Sequence, residues 1–239
     1  MIIPTYNEKE NILDIISAVI ALEVKFNVLI VDDSSPDGTA EIVRHFMESL
    51  PDRVFMIQRK GKLGLGSAYI EGFKWAINNM YEYIYEMDAD FSHNPKDLTR
   101  LYEACIKGAD VAVGSRYIKG MNVVNWPLGR ILISYGASIY VRMITGMKIK
   151  DPTAGFVAYK RIVLQNINLD NIKMNGYAFQ IEMKFKAFLL GFNIKEVSIV
   201  FTDRTKGNSK MNKSIIGEAI KGVIVMKAKS IVNKKKFLM

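Results

Sequence analysis

Two apolar runs in this 239-residue chain stop abruptly at aspartates: Phe26–Val31 runs into Asp32-Asp33, and Tyr83–Met87 into Asp88-Ala89-Asp90. A continuous apolar run rich in β-branched residues is the pattern of a strand buried on both faces. Sheets of that kind bind ligands beyond the carboxyl ends of their strands. Side chains at i and i+2 of a strand share a face, so Asp88 and Asp90 can converge on one point past the strand end. Two carboxylates held together repel each other unless a cation lies between them. Taken alone, an Asp-x-Asp reads equally well as a polar loop with Asp90 capping the next turn.

The stretches between these runs have helical periodicity. Ile12, Ile15, Ile16, Val19 and Ile20 fall on one face of a helix predicted from Glu8 to Leu22. Further helices are predicted over residues 39–50, 67–79 and 94–107, with strands at 54–57 and 111–113. The alternation predicts an α/β fold, a mostly parallel sheet flanked by helices. Ile2-Ile3 ends a first strand that the chain start clips, which predicts either a shortened sheet edge or a late recorded start. In the second half, Pro127–Thr145 reads as an amphipathic helix. Asp151–Phe156 leads into a short strand ending at Tyr159. Next come a helix over 177–190 and a strand over 194–201, then a helical tail from about Lys213 to Val232.

The net charge of +9 is uneven, since residues 200–239 hold ten Lys or Arg against two Asp or Glu. The body is balanced and the tail is basic, which suits an anionic partner such as nucleic acid or a membrane surface. A nucleic-acid reading predicts aromatics interleaved with the cations, and Phe237 is the one aromatic after Phe201. No nucleic-acid partner is therefore expected. Ile131–Val141 is too short to span a bilayer. The single cysteine, Cys105, excludes an internal disulfide and reads as core. Met1 leads straight into Ile2-Ile3-Pro4 without a secretory signal, so a cytosolic location is the expectation.

Gly61, Gly64 and Gly66 lack the spacing and place of a dinucleotide fingerprint, and Gly66-Ser67-Ala68 breaks a Walker-type loop. A tight loop with close helix packing is the favoured reading for them. What remains is carboxylates at successive strand ends. One set can accept hydrogen bonds from a ribose or base, and a second can hold Mg2+ or Mn2+ jointly with a diphosphate. That describes a site for a nucleoside-diphosphate compound.

Pro4-Thr5-Tyr6-Asn7-Glu8, Val31–Thr39 and Met87-Asp88-Ala89-Asp90 resemble the signatures of the GT-A, family 2 glycosyltransferases. Lys62–Tyr69, Gly114-Ser115-Arg116-Tyr117, Gly176–Gln180 and Asp203–Lys210 narrow the resemblance to the dolichyl- or polyprenyl-phosphate mannose synthases. It extends from Ile2 to about Lys210, in register. The family implies a Rossmann-like GT-A domain over 1–212, with a nucleotide-binding half (1–115) and an acceptor half (116–212), and then a basic amphipathic tail over 213–239. Pro4, Tyr6, Glu8, Val31 and Asp33 would line the base and ribose. Asp88 and Asp90 would hold the metal, with Ala89 against the donor and Ser92 as a third ligand. Arg116, Arg130 and Ser134 would meet the acceptor phosphate, and Arg204 and Lys210 would close over the donor diphosphate. Asp90, Arg116 and Arg130 would carry the catalytic step. Read without the family, Arg116 is a strand-end salt bridge, Arg130 a surface charge at a helix start, and Arg204 and Lys210 solvated loop charges.

The reaction so implied is inverting transfer of mannose from GDP-mannose to a polyprenyl or dolichyl phosphate. It would take place at the cytoplasmic face of a membrane met peripherally through Pro127–Thr145 and the tail, with a possible anchoring protein. The alternative within the family is another donor, such as UDP-glucose, or a surface-polysaccharide transferase.

Overall fold

The computed structural model describes residues 1–174, 176–204 and 213–238, without the side chains of residues 177, 213–219, 235 and 236. The chain starts with β1 (Ile2–Thr5), α1 (Lys9–Ile20), β2 (Val28–Asp32), α2 (Thr39–Ser49) and β3 (Val54–Gln58). Then come α3 (Leu65–Asn78), β4 (Tyr83–Glu86), α4 (Asp97–Ile106) and β5 (Val111–Ser115). Each strand expected from an apolar run is present, with ends shifted by a residue or two. β4 stops at Glu86 rather than Met87.

After β5 come β6 (Val123–Val124), α5 (Leu128–Thr145), β7 (Val157–Lys160), α6 (Arg161–Asn166) and α7 (Gly176–Leu189). The chain then forms β8 (Ile194–Ser198), β9 (Phe201–Thr202), α8 (Lys213–Val232) and α9 (Lys234–Leu238). The strand expected over 194–201 is therefore broken, and its last part pairs elsewhere. β9 runs parallel to β6 in a two-stranded sheet of its own.

The main sheet has the order β3-β2-β1-β4-β7-β5-β8. β1 lies inside it between β2 and β4, so the clipped first strand is not a sheet edge. Chain order reverses beside β1, which makes the crevice above β1 and β4 the topological switch point. β7 is antiparallel to both β4 and β5. Residues 116–156 thus stay at the carboxyl rim before the chain descends, and the Asp151–Phe156 turn is delivered to the same rim as Asp88 and Asp90.

The period-two alternation of the strands divides the core. Ile2, Leu29, Val31, Ile84, Val113 and Tyr159 face α3 and α7, where Tyr69, Phe73, Phe179 and Met183 meet them. Ile3, Val28, Ile30, Tyr85 and Ala158 face α1, α2 and α4, against Ile12, Ile16, Val43, Leu98 and Cys105. A third cluster joins α5, α7, α8 and α9 through Val141, Phe185, Val223, Met226 and Phe237. α5 buries little of itself, and Leu128, Leu132, Ile133 and Met143 are exposed.

β5 and the β7 approach pack too closely for a side chain between them. A Cβ on Gly114 would lie 2.6 Å from Phe156 Cδ1 and 3.2 Å from the Phe156 carbonyl oxygen. Gly114→Ala is expected to lose about 1–3 kcal/mol of stability by overpacking. Gly61→Ala, with nothing within 4 Å, should be neutral or stabilising by about 0.5 kcal/mol. Urea unfolding of the two variants checks the contrast.

Candidate active site

The rim above β1, β2 and β4 holds three non-glycine residues in left-handed conformation, one after each strand: Asn7 (φ 57°), Ser34 (φ 54°) and Phe91 (φ 58°). Such conformations persist where surrounding contacts over-determine them, and they gather at functional sites. The contacts here are explicit. Asp32, fully buried, accepts from the Thr5 hydroxyl (2.9 Å), the Ser35 amide (2.9 Å) and the Ser35 hydroxyl (2.6 Å). The Asn7 amide donates to the Ser35 hydroxyl at 3.0 Å, and the Ser34 hydroxyl donates to the Arg59 carbonyl. Asp32 therefore welds the turns after β1 and β2.

Asp33 is paired with Arg59, a residue that nothing local in the sequence marks out. The guanidinium and carboxylate are both buried in contact. Arg59 also donates to the Ser67 hydroxyl (2.7 Å) and the Gly64 carbonyl (3.0 Å), while Asp33 accepts from the amides of Leu63 (3.0 Å) and Gly64 (3.2 Å). This pair pins the glycine loop against the strand end. Gly64 has φ +97°, and a Cβ on Gly66 would meet the Phe179 ring at 3.1 Å, as a tight, close-packed loop requires. The Lys62 ammonium lies 4.5 Å from the centre of the Tyr6 ring. Pro4, Tyr6, Glu8, Val31 and Asp33 thus share the rim of β1 and β2.

Past β4, Ala89 and Asp90 are buried and Asp88 is half-buried. Asp90 Oδ1 accepts from the Ser92 amide at 3.0 Å, and Oδ2 lies 3.1 Å from Arg204 Nη2. The Ser92 hydroxyl is buried without a hydrogen-bond partner. His93 stacks on Phe156 at 4.9 Å and meets Phe201 edge-on at 5.2 Å. Burial pushes its pKa down to about 4 against the pull of Asp90, so it stays neutral. Among the described residues no three His, Cys, Asp or Glu side chains cluster as a complete metal cage. Asp88, Asp90 and the Ser92 hydroxyl suit a hard divalent ion that takes its remaining oxygens from a ligand.

The arginines stand on the other side of His93. Arg116 is gripped by Asp151, with Nε to Oδ2 and Nη2 to Oδ1 both at 2.7 Å, and its amide donates to Oδ2 at 3.0 Å. Nη2 also donates to the Thr153 hydroxyl at 2.9 Å. Burial opposes the charge on Asp151, but the guanidinium outweighs it and holds the carboxyl below its usual range. Arg130 reaches Asp203 at 2.8 Å and covers the Trp126 ring at 4.1 Å. Arg116 lies 5.6 Å from the same ring. The Tyr117 hydroxyl donates to Ser134 Oγ at 2.7 Å. Adjacent residues Asp203 and Arg204 thus contact Arg130 and Asp90 and tie the two sides together. Lys210 lies outside the described residues.

Sequence reading brought Asp88, Asp90, Ser92, Arg116, Arg130, Ser134 and Arg204 to this rim, and the fold gathers them there. It did not single out the groups that hold Asp33, Arg116 and Arg130, namely Arg59, Asp151, and Asp203 with Trp126. Asp151 sits before a Pro-Thr-Ala-Gly turn, a composition that marks a bend but names no partner.

Residues 1–167 match the Glycosyl transferase family 2 model. Solved structures share the fold. Glucosyl-3-phosphoglycerate synthase from Mycobacterium tuberculosis in complex with uridine-diphosphate superposes over 96% of this chain and 78% of that one. The TM-score is 0.65 at 14% sequence identity. The chain belongs to glycosyl transferase family 2 and is a glycosyltransferase with a GT-A fold. Among its relatives are the polyprenol monophosphomannose synthase of Mycolicibacterium smegmatis, 46% identical over 92% of this chain and 83% of that protein, and the undecaprenyl-phosphate mannosyltransferase of Micrococcus luteus, 43% identical over 93% and 90%. The dolichol-phosphate mannosyltransferase of Pyrococcus furiosus is 37% identical over 93% of this chain, which spans 62% of that protein's length.

The Arg59–Asp33 pair gives a test of how the glycine loop is held. Removing one partner of a buried ion pair strands the other, so Arg59→Met is expected to cost about 3–5 kcal/mol. Arg44→Met, which breaks the exposed Arg44–Glu41 contact, should stay within about 1 kcal/mol. Denaturant unfolding distinguishes the two.

Proposed function

We propose that this enzyme transfers mannose from GDP-mannose to a polyprenyl or dolichyl monophosphate, with inversion, at the cytoplasmic face of a membrane. The observation that carries the reading is the Asp203-Arg204 link. It sets the carboxylate pair at the end of β4 beside the Arg116–Arg130–Trp126 cluster, so that carboxylates suited to a cation adjoin guanidinium groups suited to a phosphate. The mannosyl relatives support the sugar and the lipid acceptor.

The chemistry asks for placement more than for a base. A phosphate monoester is already anionic at neutral pH, so its oxygen can attack the anomeric carbon as it stands. Arg116 and Arg130, with the Ser134 hydroxyl, orient that anion. The rim of Pro4, Tyr6, Glu8, Val31 and Asp33 holds the nucleoside. Arg204 and Lys210 add positive charge where the diphosphate departs, so that proximity and charge stabilisation share the barrier lowering. Asp88, Asp90 and Ser92 would hold Mg2+ or Mn2+, whose charge would further neutralise the leaving diphosphate.

The lipid acceptor places the protein against a bilayer. On α5, Leu128, Leu132, Ile133, Ile139 and Met143 are exposed, and on α8 so are Ile220, Ile224, Val225, Ile231 and Val232. Lysines 221, 227 and 229 are interleaved with the second set. An apolar face rimmed by lysine suits a peripheral contact with anionic lipid, to which an anchoring protein would add. No described helix is long and apolar enough to cross the membrane.

The test is a radiolabel assay with membranes containing polyprenyl phosphate, comparing GDP-mannose with UDP-glucose, with and without Mn2+. A mannose-labelled product in the organic phase, β-linked from the α-linked donor, is expected. Product from UDP-glucose alone would replace the donor, an α-linked product would reject inversion, and no product from either would reject the reading. Metal binding gives a second expectation, because Arg204 and a divalent ion both need Asp90 Oδ2. Without nucleotide, Arg204→Gln should bind Mn2+ about three- to fivefold more tightly, the equivalent of a partly exposed ion pair removed. Asp90→Ala should bind it weakly. Free Mn2+ read by electron paramagnetic resonance decides both.

A further inference from the structure

α7 carries a lysine that is completely enclosed: Lys184 is 0% exposed. An ammonium in that position must have all three protons satisfied and counter-charge nearby. Lys184 Nζ donates to the Ala154 carbonyl at 2.6 Å, the Gln180 carbonyl at 3.0 Å and Gln180 Oε1 at 3.2 Å. Two of these acceptors belong to the preceding turn of its own helix. Ala154 is the contact that reaches elsewhere, and it closes the turn whose first residue is Asp151, with its amide donating to the Asp151 carbonyl at 3.3 Å.

That turn is held at two points. At one end, Glu196 on β8 accepts from the amides of Lys150 (2.8 Å) and Asp151 (2.9 Å). At the other end stands Lys184. Between the two anchors, Asp151 and Thr153 make four hydrogen bonds to Arg116. On its other side Lys184 is attracted by Glu86, the last residue of β4, two before Asp88. Glu86 is itself 0% exposed; burial pushes its carboxyl up to about 8, against the pull of the Lys184 charge and a Gln180 side-chain hydrogen bond. The ammonium thus ties α7 to the turn that grips Arg116.

We propose that Lys184 is a positioning residue for the acceptor. Its ammonium fixes the 151–154 turn so that Asp151 presents Arg116 to the acceptor phosphate at a set distance from the donor carboxylates. The inference rests on the reading of Arg116 as a phosphate-binding residue. The requirement is geometric. A reacting oxygen has to stand about 3–3.5 Å from the anomeric carbon, and a displacement of about 1 Å is worth about a hundredfold in rate. A purely architectural lysine predicts otherwise, because a buried charge exchanged for a well-packed apolar chain of similar size alters stability without singling out one substrate.

The experiment compares Lys184→Met with Lys186→Met, which removes a second 0%-exposed lysine of α7 whose ammonium bonds the Asn171 carbonyl at 3.1 Å, away from the turn. For each, KM for polyprenyl phosphate, kcat, and the Kd for GDP-mannose with Mn2+ by calorimetry are measured on folded protein. Lys184→Met is expected to raise the acceptor KM at least about tenfold with the donor Kd unchanged within twofold. Lys186→Met should change neither constant. Combined with Arg116→Lys, Lys184→Met should add little further loss, as for two residues of one network. If Lys184→Met does not fold, Glu196→Gln loosens the other anchor and should show the same acceptor-specific rise. An unchanged acceptor KM in the folded variant, equal effects on donor and acceptor, or full additivity with Arg116→Lys would overturn the proposal. Wild-type protein that transfers to no polyprenyl phosphate would instead remove the functional reading beneath it.

Discussion

A guanidinium taken out of water needs a carboxylate that is already oriented, and the Arg116 side of this enzyme's rim is arranged around that demand. Arg116 stands at the end of β5, and Asp151 comes to it from a turn 35 positions later in the chain. The pair is buried, bidentate and backed by the Arg116 amide, which is the geometry in which attraction can exceed desolvation. For the turn to be there, β7 must enter the sheet from the carboxyl rim. For β7 to fit, Gly114 must lack a side chain. For the turn to keep its shape, its amides and its carbonyl need the anchors from β8 and α7. The end of β2 repeats the principle with Arg59 and Asp33, which fasten the glycine loop there.

The two sides meet through few residues. Asp203 and Arg204 are neighbours in sequence, and each contacts a group on a different side, Arg130 and Asp90. His93 is stacked on Phe156 between them and remains neutral. The rim therefore combines two buried ion pairs, Arg59–Asp33 and Arg116–Asp151, with two partly exposed ones, Arg130–Asp203 and Arg204–Asp90, the last made to a group suited to a cation. This division fits a glycosyl transferase, in which the nucleotide and the acceptor need rigid seats and the departing diphosphate needs charge that can be redistributed.

The parts of this arrangement that could be read from sequence are those set by local chemistry. A β-branched run ending in Asp-Asp, or an apolar run ending in Asp-Ala-Asp, announces a strand and its functional end within a few residues. The helical faces of α1 and α5 repeat at their expected spacing. What could not be read was pairing over distance. Nothing near Arg59 shows that it belongs to Asp33, and nothing near Asp151 points to Arg116. The four-residue β7 is too short to reveal its direction, and the direction decides which rim receives Asp151. Lys184 was hidden for the opposite reason. A lysine on a helix that also carries Gln180, Glu182 and Lys186 reads as solvent-facing, and only the completed fold shows Lys184 enclosed.

The position of β7 also orders events during synthesis. β4 and β5 are not neighbours in the sheet, and the strand that fills the gap between them is made after both. Until residues 157–160 have left the ribosome, β4 and β5 each expose an edge of unpaired amides and carbonyls of the kind that recruits other chains. The β3-β2-β1-β4 side can take shape early, from strands that pair in near-sequential order. The Arg116 side comes later, when β7 closes the sheet and carries Asp151 up to a waiting arginine, and α7 and β8, made later still, lock the turn in place.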